Sequence, residues 1–161
     1  MGYILSRILK LRAVVQRVIK SSVKIDSVIY SSINKGLNCL LGIKDGDNED
    51  DIKYMVDKIL NLRIFSDEND KMNKSIKDID GEILIISQFT LYGDARKGRR
   101  PSFDKALKGE KAIEIYHKFL EQLKLNYNSE KIKSGVFGAM MEVEIINDGP
   151  VTILLDSEKL F

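Results

Sequence analysis

The sequence predicts a sheet-rich α/β fold, a single domain in which two helices pack on layers of β-sheet. Its 161 residues match the size of one domain, and an apolar content of 43% suffices for a substantial core. Only two segments repeat apolar residues at the helical period, whereas roughly seven resemble strands. We assign residues 1–10 to an N-terminal extension and residues 11–161 to the domain.

The first half of the domain contains four predicted strands. Residues 11–19 mix β-branched and charged side chains, which suits a strand with one wet face, and residues 22–26 and 28–32 resemble further short strands. Gly36 precedes residues 37–43 (LNCLLGI), a candidate for a buried strand. This half therefore begins as consecutive strands.

A first helix is predicted to follow. Asp47 or Asn48 can cap it, and the acids at positions 49–51 suit its first turn. The apolar residues then recur at the helical period and should face the core: Ile52, Met55, Val56, Ile59 and Leu60.

The second half is predicted to alternate strand, helix and hairpin. After a polar, turn-like stretch at 66–74, residues 82–92 (EILIISQFTLY) read as one long strand. Residues 110–125 form the second helix, and residues 140–146 and 151–155 form two strands joined by a turn at 147–150. The inward residues of this helix are expected to be Ile113, Tyr116, Phe119, Leu120 and Leu123.

The composition of the chain excludes several classes of function. With 26 basic and 24 acidic residues, any nucleic-acid contact must use a local patch. The single cysteine, Cys39, excludes an internal disulfide and a multi-cysteine zinc site, and favours a reducing, cytoplasmic location. No apolar run approaches the ~20 residues of a membrane span, and we predict no metal or other cofactor.

Conventional catalytic side chains are scarce. His117 lies in the middle of the second predicted helix and Cys39 in a buried strand, so a structural role is the favoured interpretation of both. An enzyme with this sequence would have to use backbone groups, hydroxyls or a group that the substrate brings.

The segment Ser87-Gln88-Phe89-Thr90 interrupts an apolar strand with hydrogen-bonding side chains. In a strand, Ser87 and Phe89 would share one face, and Gln88 and Thr90 the other. A polar strand end at the edge of the sheet and a functional site are equally compatible with these residues.

The segment NDGPVT at 147–152 reads first as a hairpin turn. An X–Pro bond such as Gly149–Pro150 is the ordinary place for a cis peptide, and Gly149 has no Cβ to keep another molecule away.

Four cations lie close together in a predicted loop: Arg96, Lys97, Arg99 and Arg100. A solvated loop is the simpler interpretation, and contact with phosphate groups is the functional one.

Taken together, SQFTL at 87–91, GRRPSF at 98–103 and NDGPVT at 147–152 resemble the D-aminoacyl-tRNA deacylase family. The segments LRAVVQRV at 11–18, NLRIFSD at 61–67 and KMN at 71–73 support the resemblance, which runs from about residue 11 to residue 155.

The resemblance implies a homodimer with two sites at the subunit interface, each hydrolysing the ester between a D-amino acid and the 3′ end of tRNA. It implies a cis Gly149–Pro150 peptide that reaches into the partner's site and is supported by Arg17. Ser87, Gln88, Phe89 and Thr90 would line the pocket, and Phe137 and Met141, in VFGAMM at 136–141, would lie near the terminal adenosine. The basic loop, residues 96–100, would contact the tRNA backbone.

Such a site would reject L-amino acids by rigid backbone, so glycyl-tRNA is a plausible second substrate. The tRNA 2′-hydroxyl would assist catalysis, while N–H groups near Gln88 and Phe89 stabilise the oxyanion. Thr90 as nucleophile ranks lower, because no base lies beside it in sequence. Two other classes compete: a non-catalytic RNA-end binding module using the basic loop, and a small-ester esterase using Thr90 or Ser87.

Overall fold

The computed structural model describes residues 10–44 and 49–161 of the chain. Most of the predicted extension and the predicted helix cap, Asp47 or Asn48, lie outside the described residues. Lys10, the last residue of that extension, already begins the first strand. Among the described residues, no helix is long and apolar enough to cross a membrane.

The described residues form eight strands, two α-helices and two 3₁₀ turns, in a sheet-rich α/β arrangement as predicted. In chain order these are β1 (Lys10–Ile25), β2 (Val28–Ile33), β3 (Gly36–Lys44), α1 (Glu49–Asn61), β4 (Phe65–Ser66), β5 (Met72–Lys74), β6 (Glu82–Ser87), a 3₁₀ turn (Phe89–Tyr92), α2 (Gly109–Asn126), a second 3₁₀ turn (Ser129–Lys131), β7 (Ile132–Ser134) and β8 (Glu142–Asp156).

Strand β1 organises the main sheet. Residues 12–24 of β1 pair with β8 on one edge, while β3 and then β2 share its other edge. The separate strands predicted at 11–19 and 22–26 are therefore wrong: they are one strand, continuous through a shift of register near Val18. A two-residue turn with positive φ at Asp26 and Ser27 then leads into β2.

The two helices cover one face of this sheet. Strands β3, β6 and β7 run parallel, with α1 in the crossover from β3 to β6 and α2 in that from β6 to β7. The five inward residues predicted for α1 are all buried. In α2, Ile113 is exposed and the prediction is wrong there, because Ala112 and Ile115 occupy the buried stripe instead.

The opposite face of the sheet is only partly covered. A small buried cluster includes Val18, Val23 and Leu84. Beside it, Leu40 of β3, Val14 of β1 and Leu154 of β8 lie in register as a row across three strands. Leu40 and Val14 are half-buried, and Leu154 is 52% exposed. This face therefore carries apolar surface that one copy of the chain leaves open.

The hairpin predicted at residues 140–155 is wrong, because β8 is a single strand. Both of its halves pair with the same strand, β1, in the same antiparallel direction. Val18 pairs with Asn147 and Gln16 pairs with Thr152, so the four residues 148–151 lie opposite Arg17 alone. Residues 148–151 (Asp-Gly-Pro-Val) thus form a large bulge that projects from a continuous strand.

Candidate active site

A cavity of about 350 Å³ opens where β3 and β6 end. Its walls come from Leu41 and Ile43 of β3, from residues 86–89 at the end of β6 and just beyond it, from Leu107 ahead of α2, and from residues 137–141 with Val143. None of the described residues that line it has a titratable side chain. The cavity therefore offers hydroxyl, amide and backbone groups, but no side-chain general base.

The predicted long strand ends earlier than expected, at Ser87, and the chain turns over the end of β3. The Gln88 N–H donates to Leu41 O at 2.7 Å, and a 3₁₀ turn begins at Phe89. Gly42 permits this approach, because a Cβ there would lie 2.9 Å from the Cβ of Leu91. The predicted alternation of faces is therefore wrong beyond Ser87.

This turn also decides which backbone donor of the segment is already paired. The Gln88 N–H already donates to Leu41 O, so of the two N–H groups expected to bind an oxyanion it is the one that has a partner. The Phe89 N–H begins the 3₁₀ turn and donates to no acceptor among the described residues, as is usual for the first N–H groups of a helical turn. Phe89 is the candidate oxyanion donor that remains.

Thr90 is the one residue of this segment that does not line the cavity. It is exposed, and its hydroxyl accepts a hydrogen bond from the side-chain amide of Gln88. An amide cannot take up the hydroxyl proton, so this contact gives Thr90 no general base.

Of the predicted pocket residues, the structure brings together Ser87, Gln88, Phe89, Phe137 and Met141. Sequence reasoning missed Leu107, whose N–H donates to Ile43 O at 2.9 Å. Leu107 comes from an irregular segment, so no periodicity pointed to it. Residues 138–140 lie within the VFGAMM segment, which was the one available signal for the rest of the wall.

The bulge at 148–151 is held by Arg17, as the family resemblance implied. The Arg17 guanidinium donates to Asp148 O at 3.0 Å and to Ile64 O at 2.8 Å, and lies 3.4 Å from the Asp148 carboxylate. The Gly149–Pro150 peptide is cis. Gly149 has a φ of +129°, and a Cβ on it would lie 2.9 Å from an Arg17 nitrogen, so the position has room for glycine only.

This corner and the cavity do not meet within one chain. Arg17, opposite the corner, pairs with Leu37, whereas the cavity is lined by Leu41 and Ile43 farther along β3. At about 3.3 Å per residue, these positions are about 13–20 Å apart along the strand. Neither Arg17 nor residues 149–150 line the cavity.

The basic loop lies beside the cavity. Phe103, at its base, packs edge-on against Phe89 with ring centroids 5.3 Å apart. Arg96 pairs with Asp94 at 2.6 Å, and this contact holds the pKa of the Asp94 carboxyl well below its usual range. The three other cations, Lys97, Arg99 and Arg100, are exposed and make no ion pair within the part of the chain that the structure describes.

The remaining candidates lie outside the site. Cys39 is buried, which raises the pKa of its thiol to about 12 and suits a core residue. His117 is on α2 and does not line the cavity. Across residues 10–44 and 49–161, no group of three or more His, Cys, Asp or Glu side chains is arranged to hold a metal ion.

Comparison with known proteins relates the chain to a family. The model of the family "D-Tyr-tRNA(Tyr) deacylase" matches residues 14–156. A "D-aminoacyl-tRNA deacylase" of Clostridium botulinum is 62% identical over 151 residues, which cover 94% of this chain and 100% of the relative.

Two solved structures share the fold. One, a "c-Myc DNA Unwinding Element Binding Protein", is 49% identical with a TM-score of 0.86, over 89% of this chain and 97% of that one. A "probable eukaryotic D-amino acid tRNA deacylase" is 18% identical with a TM-score of 0.78, over 91% and 99% of the two chains, and this likeness shows the fold. The chain therefore belongs to the D-Tyr-tRNA(Tyr) deacylase family of hydrolytic enzymes.

Proposed function

We propose that the protein hydrolyses the ester bond of D-aminoacyl-tRNA and releases the free D-amino acid and tRNA. The observation that carries the proposal is a cavity, in a chain of this family, whose lining among the described residues has no titratable side chain but includes Phe89, whose N–H has no acceptor in residues 10–44 and 49–161. Such a site can stabilise an oxyanion but has no side chain that accepts a proton.

In this proposal the tRNA substrate itself supplies the group that assists the attacking water. The ribose 2′-hydroxyl next to the ester assists a water molecule, which adds to the carbonyl carbon. The oxyanion that forms accepts a hydrogen bond from the Phe89 N–H. The bond to the 3′-oxygen then breaks, and the proton lost by the water passes to that oxygen.

Chirality is selected by the Gly149–Pro150 corner of a second copy of the chain. Backbone groups of the corner hold the amino group and crowd the direction that an L side chain takes, so many D-amino acids are accepted. Glycine has no side chain to be rejected, and glycyl-tRNA is therefore a second substrate. The separation of corner and cavity within one chain supports a site completed by the partner.

One face of the sheet is suited to form the interface of this homodimer. The row of Leu40, Val14 and Leu154 lies on the sheet face that the helices leave open. Burying such a row against its copy would remove apolar area from water.

The tRNA backbone is bound by the basic loop. Within the described residues, Lys97, Arg99 and Arg100 are exposed and make no ion pair, whereas Arg96 is held by Asp94. The proposed reaction takes place in the cytoplasm.

Side-by-side hydrolysis of D-Tyr-tRNA and L-Tyr-tRNA tests the proposal, with glycyl-tRNA as a third substrate. We expect the D ester to be cleaved in large preference to the L ester. Binding of tRNA without cleavage would instead support a nucleic-acid binding module, the property for which one solved relative is named. Cleavage of small esters without tRNA would support an esterase.

The role of the ribose is tested separately with D-Tyr-tRNA ending in 2′-deoxyadenosine, charged at the 3′ position. A loss of kcat with unchanged binding is expected, because the assisting hydroxyl is gone. An undiminished kcat would remove the 2′-hydroxyl from the mechanism.

A further inference from the structure

The short hairpin of β4 and β5 is tied together mainly by side chains. Its two strands are joined at only two residue pairs, and a two-stranded hairpin of this kind is marginal alone. The Asp67 carboxylate accepts hydrogen bonds from Asn69 N at 2.8 Å, Lys71 N at 3.0 Å and Asn73 Nδ2 at 2.7 Å. These bonds lower the pKa of Asp67, so the carboxylate remains ionised as an acceptor at neutral pH.

Arg63 fastens this hairpin to the segment that precedes it. Its guanidinium donates to both oxygens of Asn73, to the backbone O and to Oδ1, each at 2.9 Å. A fork of two bonds fixes direction as well as distance. We call Arg63, Asp67 and Asn73 the hairpin clamp.

The clamp fixes a carbonyl that the site uses. Residues 62–64 have no regular secondary structure, and their path is held by the burial of the Ile64 side chain in the core and by the hydrogen bonds of Arg63. Ile64 follows Arg63 directly, and Ile64 O accepts a hydrogen bond from Arg17 at 2.8 Å. The same guanidinium holds Asp148 O, next to Gly149.

We propose that the hairpin clamp is a positioning device for chiral selection: through Ile64 and Arg17, it sets the position of the Gly149–Pro150 corner. The inference rests on the proposed function, in which that corner is the selector. Arg63 and Asn73 are exposed, and exposed bonds of this kind contribute little to global stability. Their loss should therefore loosen the corner without unfolding the protein.

Arg63→Gln and Asn73→Ala test the clamp, measured as the ratio of kcat/KM for D-Tyr-tRNA to that for L-Tyr-tRNA. We expect each variant to lower this ratio by about tenfold through faster L hydrolysis, with the D rate within about threefold of the original. The matched control is Glu68→Gln, which removes the 2.7 Å ion pair with Lys74 in the same hairpin but lies outside the clamp. It should leave the ratio unchanged.

A double-mutant cycle tests whether the hairpin clamp acts on the corner through Arg17. If the clamp acts through Arg17, then Arg63→Gln should change the ratio no further in an Arg17→Lys background. Independent, additive effects of the two substitutions would overturn the route through Arg17.

Three results would overturn the proposal. These are an unchanged D to L ratio in both clamp variants, equal losses on both substrates with a raised KM (direct contact with tRNA), and a ratio that falls equally in Glu68→Gln. A failure of the proposed function is distinct, because the unmodified protein would then itself show no preference for the D ester.

Discussion

Gly149 is the residue with the least freedom to change at the corner. Its φ of +129° is rarely adopted by other residues, and a Cβ would lie 2.8 Å from Val151 Cγ2 and 2.9 Å from an Arg17 nitrogen. We predict that Gly149→Ala displaces the Arg17 guanidinium and lowers kcat/KM for D-Tyr-tRNA by at least ~10-fold, without admitting the L ester.

Gly109→Ala is the control for this change. Gly109 also has a positive φ, +74°, but a Cβ there would meet nothing within 4 Å. This variant should lose a little stability and keep its activity. Equal activity in the two variants would remove the steric argument for Gly149.

Thr90 lies beside the cavity without lining it. Thr90→Ala should therefore retain appreciable kcat on D-Tyr-tRNA, because the hydroxyl meets an amide rather than a base. A fall of ~10⁴-fold or more, with the fold and tRNA binding intact, would restore Thr90 as the nucleophile.

Among single residues, sequence reasoning found those that depart from their surroundings. Ser87, Gln88 and Phe89 stood out because polar groups interrupted an apolar strand, and all three line the cavity. Leu107 did not stand out, because an apolar residue in an irregular segment gives no sign of what it faces. Which N–H is free also depends on a partner, Leu41, that is 47 residues distant from Gln88.

At the scale of elements, the four cations of the basic loop are not equally available to bind phosphate. Arg96 is neutralised by Asp94, whereas Arg99 and Arg100 are exposed and unpaired within the described residues. Replacing Arg99 and Arg100 together with alanine should weaken tRNA binding and flatten its salt dependence, because fewer counterions are released.

Arg96→Ala serves as the control, and should have a smaller effect on both quantities. The measurement is the dissociation constant at several salt concentrations. If Arg96→Ala weakens binding as much as the double variant does, the Asp94 pair does not hold Arg96 away from RNA.

Arg12 fastens the first 3₁₀ turn, Phe89–Tyr92, to the sheet. Its guanidinium donates to Asp156 at 2.8 Å and to Leu91 O at 3.3 Å, and lies 4.6 Å from the centre of the Tyr92 ring. The side chain of Asp156 is 1% exposed, so it would be left without a cation in Arg12→Met. We expect the free energy of unfolding to fall by about 2 kcal/mol, less than for a fully buried pair because Arg12 is 30% exposed.

Thermal unfolding measures this effect, as a decrease in Tm of about 4–8 °C. Lys20→Met is the control, because its ion pair with Glu144 is half-exposed on both sides and should contribute little. Equal changes in the two variants would show that Arg12 is an ordinary surface residue.

The elements themselves were predictable where the pattern was local. Both helices have an apolar period as predicted, α1 also has the predicted acidic first turn, and β3 begins at Gly36, one residue before its predicted start. The errors arose where the pairing of strands, rather than the local sequence, determines the structure. Strand β8 contains a turn-like sequence, yet the residues on both sides of that sequence pair with β1. Strand β6 ends at Ser87 because the chain turns over Gly42, a residue distant in sequence.

For the whole molecule, the sheet-rich α/β class followed from counting patterns, but the order of the strands did not. Nothing local indicates that β1 takes three partners, or that its outer face keeps the row of Val14, Leu40 and Leu154 open. The separation of the corner from the cavity is likewise a property of strand register.

That separation predicts a homodimer in which each site uses two chains. Sedimentation should give a particle of twice the chain mass of 18.3 kDa. An active monomer would contradict this assembly.

A mixing experiment tests the shared site itself. Two variants are mixed. Gly149→Ala impairs the corner and leaves the cavity intact, whereas Ala139→Trp fills the cavity and leaves the corner intact. Each variant alone should be nearly inactive. In a mixed dimer, however, the intact corner of one chain meets the intact cavity of the other, while the second site carries both defects. Random exchange at equal concentrations makes half of the dimers mixed, so about a quarter of the original activity should return. If each site lay within one chain, every site would keep its own defect, and mixing would restore nothing.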